Sequence, residues 1–260
     1  LKLAMISSTG DAEDKYNIIM FFIANKRNYK AMEEYSQWRI IGSTHKEMTE
    51  EYTIDIKNEN QRVSNEQRRN DRARTLLEKF SKAHVYNEID SEAYKQLLRL
   101  NVIEYNRLND NKGVKFDFSI WDNKSLEHIY PKSMFFHTVV NEETQEIRYV
   151  RGDGADISFD KTKDLRNSDT EFSNPSRYSE HCIGNLVLLY GKNNSEFSNL
   201  PFEDKKFKFF HNERKFESRN LLHTISSFAS SKWDIKEIES SADSFIERFK
   251  KDYNIQENNE

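Results

Sequence analysis

The chain reads as α+β, mainly helical, with a small strand-bearing segment in its second half. Three observations point there. Among 260 residues only seven are Gly and three are Pro, which favours helices with few tight turns. Apolar residues recur at helical spacing from Ala12 to about Asn109. From Val114 the pattern shortens to alternation, and Gly184 to Tyr190 forms one compact apolar run.

Taken in order, residues 1 to about 11 read as a loose lead-in. Ala12 to about Ile41 predicts a helix with Tyr16, Ile19, Met20, Phe22 and Ile23 on one broad face. Gly42-Ser43-Thr44 breaks it, and Tyr52 to Ile56 alternates as a short strand or ends a helix. Ser64 and Gln67 stand at capping-box spacing, so a helix starts at Asn65 and runs to about His84. Its basic half, Arg68, Arg69, Arg72 and Arg74, reads as a solvated face or a DNA contact. A further helix spans Ser91 to about Asn109 and stops before Gly113. Val114 to Ile120 and Leu126 to Tyr130 predict strands, the second stopped at Pro131. Residues 138–175 read as an insertion with a hairpin and a polar loop from Asp160 to Asn174. Lys192 onward predicts a short helix, Phe202 to about Lys215 another, and Asp234 with Glu237 caps the last, which runs to about Tyr253. The aromatics Phe207, Phe209, Phe210 and Phe216 read as core. This divides the chain into a helical region at 1–113, a second domain at 114–253 and a tail at 254–260.

The formal net charge is −4, so a whole-chain basic footprint for nucleic acid is absent, and a local basic face would have to serve instead. One cysteine, Cys182, excludes an internal disulfide and a cysteine-built zinc site and fits a reducing, cytoplasmic setting. No apolar run approaches a membrane span, and no signal peptide is visible. The first residue is Leu1, not Met, so the chain is expected to be a piece of a longer protein.

Two stretches carry chemistry. Glu127 and His128 sit side by side before Pro131, and Asn185 heads an apolar run with Asn194 nine residues later. A neutral imidazole accepts a water proton near pH 7. A hard divalent cation such as Mg²⁺ or Mn²⁺ prefers oxygen ligands, which Glu127 and Asn194 offer. Asn185 suits a bridge between backbone segments that holds the His128 loop. Lys132, Lys192, Lys205 and Lys206 are candidates for phosphate contact. Such a set serves phosphodiester hydrolysis. In a strand, neighbours point to opposite faces, so Glu127 and His128 converge only if the chain curls there. Asn193, one residue from Asn194, is the alternative ligand. His181 caps, packs or joins the site; His137, His211 and His223 read as structural.

Glu127-His128-Ile129-Tyr130-Pro131-Lys132-Ser133 resembles the first motif of HNH endonucleases, the His-metal finger class. Gly184 to Leu189, then Asn194-Ser195, Ser198-Asn199, Pro201-Phe202 and Lys205-Lys206, with Trp233, Ile235 and Ile238, resembles the C-terminal HNH domain of GmrSD-type modification-dependent restriction enzymes. The resemblance covers about residues 115–252. It implies a small ββα-metal nuclease module. His128 would be the general base and Asn185 the bridge of the catalytic loop, with Glu127 and Asn194 on the metal. It further implies a DNA substrate, a role in restriction or anti-phage defence, and an N-terminal sensor or NTPase partner, although no Walker-type glycine loop is present here. Residues 1 to about 113 are similar, in helix order alone, to the helical region that precedes that nuclease. The competing expectation is a non-catalytic nucleic-acid- or protein-binding module on a decayed nuclease fold.

Overall fold

The computed structural model describes residues 1–8, 10–50, 52–54, 62–109, 115–211 and 217–256. Gly113, Val114, Phe216 and the tail beyond 256, all named above, lie outside them. The fold is mixed α+β and divides into two compact units: Leu1–Glu78 with Phe249–Glu260, and Lys79–Arg248. The composition change at 113/114 therefore falls inside the second unit. Among the described residues no helix is long and apolar enough to cross a membrane.

In the first unit the lead-in holds a short helix, α1 (Lys2–Met5), which buries Leu3 and Ala4. The single helix expected from Ala12 is two, α2 (Ala12–Ala24) and α3 (Tyr29–Ile40). Asparagine chemistry makes the break. The Asn25 side chain donates to the Phe21 carbonyl, and Asn28 accepts from the Ala31 N–H as a new N-cap. Gly42 takes φ +90°, and Thr44 with Glu47 forms a reciprocal cap on α4 (His45–Thr49). Strands β1 (Tyr52–Ile54) and β2 (Arg62–Ser64) pair antiparallel, and α5 (Asn65–Phe80) starts where Ser64 Oγ accepts from the Gln67 N–H. The basic half of α5 is not simply solvated. Arg72 bonds the Glu47 carboxylate at 2.9 Å, and Arg69 lies over the Trp38 ring. Tyr35 stacks on Phe21 at 4.0 Å in the core of this unit.

In the second unit α6 (Asp90–Leu108) packs along a buried strand pair. The expected strand at 114–120 is replaced by a 3-10 turn at Phe118–Trp121. The Asp117 carboxylate accepts from both the N–H and the hydroxyl of Ser119, which starts a turn where alternation alone would extend. The strand expected at Leu126–Tyr130 lies two residues earlier, as β3 (Lys124–His128). The insertion forms a sheet of β4 (Phe135–Val140), β5 (Ile147–Arg151), β6 (Asp156–Ile157) and β7 (Arg166–Asn167), in the order β6-β5-β4-β7. The stretch expected as a polar loop carries β7 and two one-turn helices, α7 (Phe159–Thr162) and α8 (Ser168–Glu171).

The chain then returns as β8 (Leu186–Tyr190), antiparallel to β3, with Lys124 opposite Tyr190 and His128 opposite Leu186. Helix α9 (Gly191–Phe197) follows at once. Helices α10 (Phe202–His211) and α11 (Leu222–Phe228) cover it through Phe197, Phe209 and Phe228. Of the α10 aromatics Phe202 and Phe209 are core; Phe207 and Phe210 are exposed, because the helix presents two faces. Helix α12 (Ile235–Asp252) lies against Gly184, where a Cβ would stand 2.1 Å from the Ile238 carbonyl oxygen.

Candidate active site

Strand β3, strand β8 and helix α9 bring the two motifs together. The strand ladder ends at His128 because Asn185 takes over the next backbone groups. Its Oδ1 accepts from the Tyr130 N–H at 2.8 Å, and its Nδ2 donates to the carbonyls of Tyr130 and Glu180, each at 2.9 Å. Asn185 is fully buried. Three bonds from one amide turn the chain out of the ladder, so Glu127 and His128 can line the same space despite being neighbours in a strand.

That space is a cavity of about 220 Å³ lined by Tyr86, Glu127, His128, Lys132, Asn194 and Lys205, among others. Asn194, on the first turn of α9, donates from Nδ2 to Ser125 Oγ and to the Leu126 carbonyl. The amide nitrogen is thereby committed to β3, and Oδ1 is left as the atom for an electropositive ligand. Asn193 points elsewhere. Its Oδ1 accepts from the N–H and hydroxyl of Ser218, which ties α9 to the segment before α11.

His128 is buried, with the Tyr86 ring centre 4.5 Å from its own at an interplanar angle of 63°, and Nε2 3.2 Å from Nδ1 of His181. Burial, reinforced by His181, Lys132 and Lys205, holds its imidazole well below the usual range. The ring is therefore neutral at neutral pH, the form that accepts a proton.

Glu127 is buried against Lys205, whose ammonium bonds both the Glu127 carboxylate and, at 2.6 Å, the His128 carbonyl. Burial pushes the carboxyl up and the ammonium down, and their mutual attraction opposes both shifts. Lys205 is only 1% exposed.

The four lysines named from the sequence separate. Lys132 and Lys205 line the His128 cavity, Lys132 with its ammonium 5.2 Å from the Tyr86 ring centre. Lys192 is exposed and lines a different cavity beside Asp117 and Tyr190. Lys206 donates to the Ser230 carbonyl at 2.6 Å.

Sequence reasoning missed Tyr86 and Glu180, and it left His181 open. Tyr86 stands in a connecting loop with no motif around it; the His181 carbonyl accepts from the N–H groups of Val85 and Tyr86, which fixes that loop at the site. Glu180 precedes His181 and reads as an ordinary acid until its burial is known. His137, read as structural, donates from Nε2 to the Glu180 carboxylate at 2.6 Å.

A divalent cation is implied by the resemblance. The donor chemistry fits one, since a carboxylate and an amide oxygen belong to side chains that line one cavity. Among the described residues no group of three or more His, Cys, Asp or Glu is placed to hold a metal, so water would complete the shell.

No curated protein and no solved structure matches the chain. A family model, GmrSD restriction endonucleases, C-terminal domain, matches residues 54–248. That span takes in β3, β8, α9 and every residue of the cavity. By its length and its motifs, the chain belongs to the family of C-terminal domains of GmrSD restriction endonucleases.

Proposed function

We propose that the chain is a metal-dependent DNA endonuclease of the HNH type, the nuclease effector of a restriction or anti-phage defence protein. The single observation that carries this reading is that Glu127, His128 and Asn194, from two segments far apart in sequence, line one cavity. Family membership supports the substrate class.

Glu127 and Asn194 would hold Mg²⁺ or Mn²⁺, which when bound supplies positive charge for the phosphate and the leaving oxygen. His128 does the proton work. It takes a proton from water at the ring nitrogen that does not face His181, while the water oxygen bonds phosphorus and the bond to the leaving oxygen breaks. Asn185 keeps the His128 loop in place through the Tyr130 backbone. Lys132, at the cavity, is the lysine suited to a phosphate oxygen. Lys205 is reassigned from phosphate contact to holding Glu127 and the His128 carbonyl. Lys192, being exposed, serves DNA backbone outside the cavity, whereas Lys206 is occupied with Ser230.

A plasmid-nicking assay with Mg²⁺ or Mn²⁺ tests the reading. His128→Ala should lower the rate by at least about 100-fold while leaving DNA binding intact. Equal cutting by parent and variant would remove His128 from the mechanism. Binding without cutting by the parent would favour a non-catalytic module.

A further inference from the structure

We propose that His181 is a positioning residue that fixes His128 in the tautomer protonated at Nε2, leaving the Nδ1 lone pair for the attacking water. The inference rests on the base role of His128 given above and adds to it which nitrogen acts and what selects it.

The argument is one of donors and acceptors along a line of side chains. His128 Nε2 lies 3.2 Å from His181 Nδ1. The other nitrogen of His181, Nε2, faces the Glu180 carboxylate at 3.7 Å. Glu180 is 0% exposed, and its Oε1 stands 2.6 Å from His137 Nε2. Its Oε2 has no hydrogen-bond partner among the described residues. Burial pushes the Glu180 carboxyl up, but the His137 contact and the nearby imidazoles outweigh it and hold it below the ordinary range. Glu180 is thus an ionised acceptor with nothing to donate.

A neutral imidazole carries one N–H and one lone pair. Two arrangements satisfy the His128–His181 contact. In one, His181 donates from Nδ1, and its Nε2 lone pair then faces a carboxylate, which is repulsive. In the other, His181 keeps its proton on Nε2, toward Glu180, and accepts at Nδ1 from His128 Nε2–H. The buried charge selects the second. His128 Nδ1 is then the free acceptor.

The ring of His181 is also held in place. Tyr86 stacks on it with an interplanar angle of 15°, its N–H donates to Ser179 Oγ at 3.0 Å, and its carbonyl accepts two N–H groups from the Val85–Tyr86 turn. His137 is oriented in turn by Ser168 Oγ, 2.8 Å from Nδ1. Gly152 closes the far side of Glu180, where a Cβ would stand 2.8 Å from Oε1. The inserted sheet and its flanks therefore supply the groups that hold Glu180 in place.

The test is the two-bond proton–nitrogen spectrum of the full chain labelled with nitrogen-15 histidine, with His128 assigned by its loss in His128→Asn. The parent should show His128 protonated at Nε2 and bare at Nδ1. His181→Phe keeps an aromatic ring on Tyr86 but no acceptor. It should give a mixed His128 tautomer and lower kcat for plasmid nicking by about 10–100-fold, with KM for DNA unchanged. His181→Asn, which returns an acceptor near Nδ1, should restore the Nε2–H pattern and part of the rate. Glu180→Gln offers His181 a donor instead of a carboxylate and should move His128 toward Nδ1–H, which decides the matter if His181→Phe does not fold. A parent spectrum with Nδ1–H or a mixture, or a His181→Phe spectrum equal to the parent's, overturns the proposal. A parent with the Nε2–H pattern that nicks no DNA would sink the base role of His128 and leave the His181 assignment standing.

Discussion

The strand pair β3–β8 and the inserted sheet β4–β7 sit in one compact unit and handle charge in opposite ways. In β3–β8 the charged groups are buried: Glu127 meets Lys205 with side chains 8% and 1% exposed. In the inserted sheet Arg148 meets Asp156 with side chains 60% and 70% exposed. Val139, Val140 and Ile147 of that sheet are exposed as well, whereas every residue of β8 is buried. A surface pair is screened by water and adds little. A buried pair repays its desolvation only while both partners are present. The inserted sheet can therefore be altered at its rim without consequence, whereas the β3–β8 pair cannot lose one charge.

The largest expected effect breaks the buried pair. Lys205→Met should cost about 3–5 kcal/mol in urea unfolding, because it strands a carboxylate in the interior. Adding Glu127→Gln to it should recover a good part of that loss, since an amide is cheaper to bury than a lone carboxylate. A double variant as unstable as Lys205→Met alone would show that volume, not charge, dominates there.

A smaller effect comes from the point where the insertion meets the site. The hydrogen bond to Glu180 raises the His137 pKa above its ordinary value, against burial. A raised folded value means that the unfolded state releases the proton first as pH rises. The stability His137 contributes is thus complete below about pH 6.5 and is lost as pH climbs through the folded value. The stability gap between parent and His137→Phe, followed by urea unfolding from about pH 5.5 to about pH 9, should be widest at the acid end and narrow upward. A gap that stays constant would mean that His137 carries no extra proton in the fold.

The smallest effect belongs to the exposed pair. Arg148→Ala should leave the unfolding midpoint and the nicking rate unchanged within error. A clear loss of nicking alone would turn the outer face of the inserted sheet into a DNA contact.

Much of this was legible beforehand where local rules suffice. The caps at Ser64 and Asp234, the stop near Pro131, the compact run of β8 and the nine-residue step from Asn185 to Asn194 each state their structure in a few adjacent residues. The breaks that were misread also have local causes, but ones that compete with periodicity. Asn25 and Asn28 cut a helix that apolar spacing would continue, and Asp117 curls a segment that alternation would extend. Nothing in the sequence around Lys205 marks it as buried rather than as a phosphate contact; its burial depends on β3, seventy-eight positions away.

The sequence by itself determined which residue types stand in the two motifs and that short strands and helices carry them, because capping, turn formation and periodicity act over a handful of neighbours. Only the tertiary structure decided that Lys205 faces Glu127, that His181 reaches His128, and that Glu180 lies between two imidazoles. The contacts Lys205–Glu127, His181–His128 and Glu180–His137 join residues 43 to 78 positions apart, and their electrostatics follow from removing water, which no local pattern records.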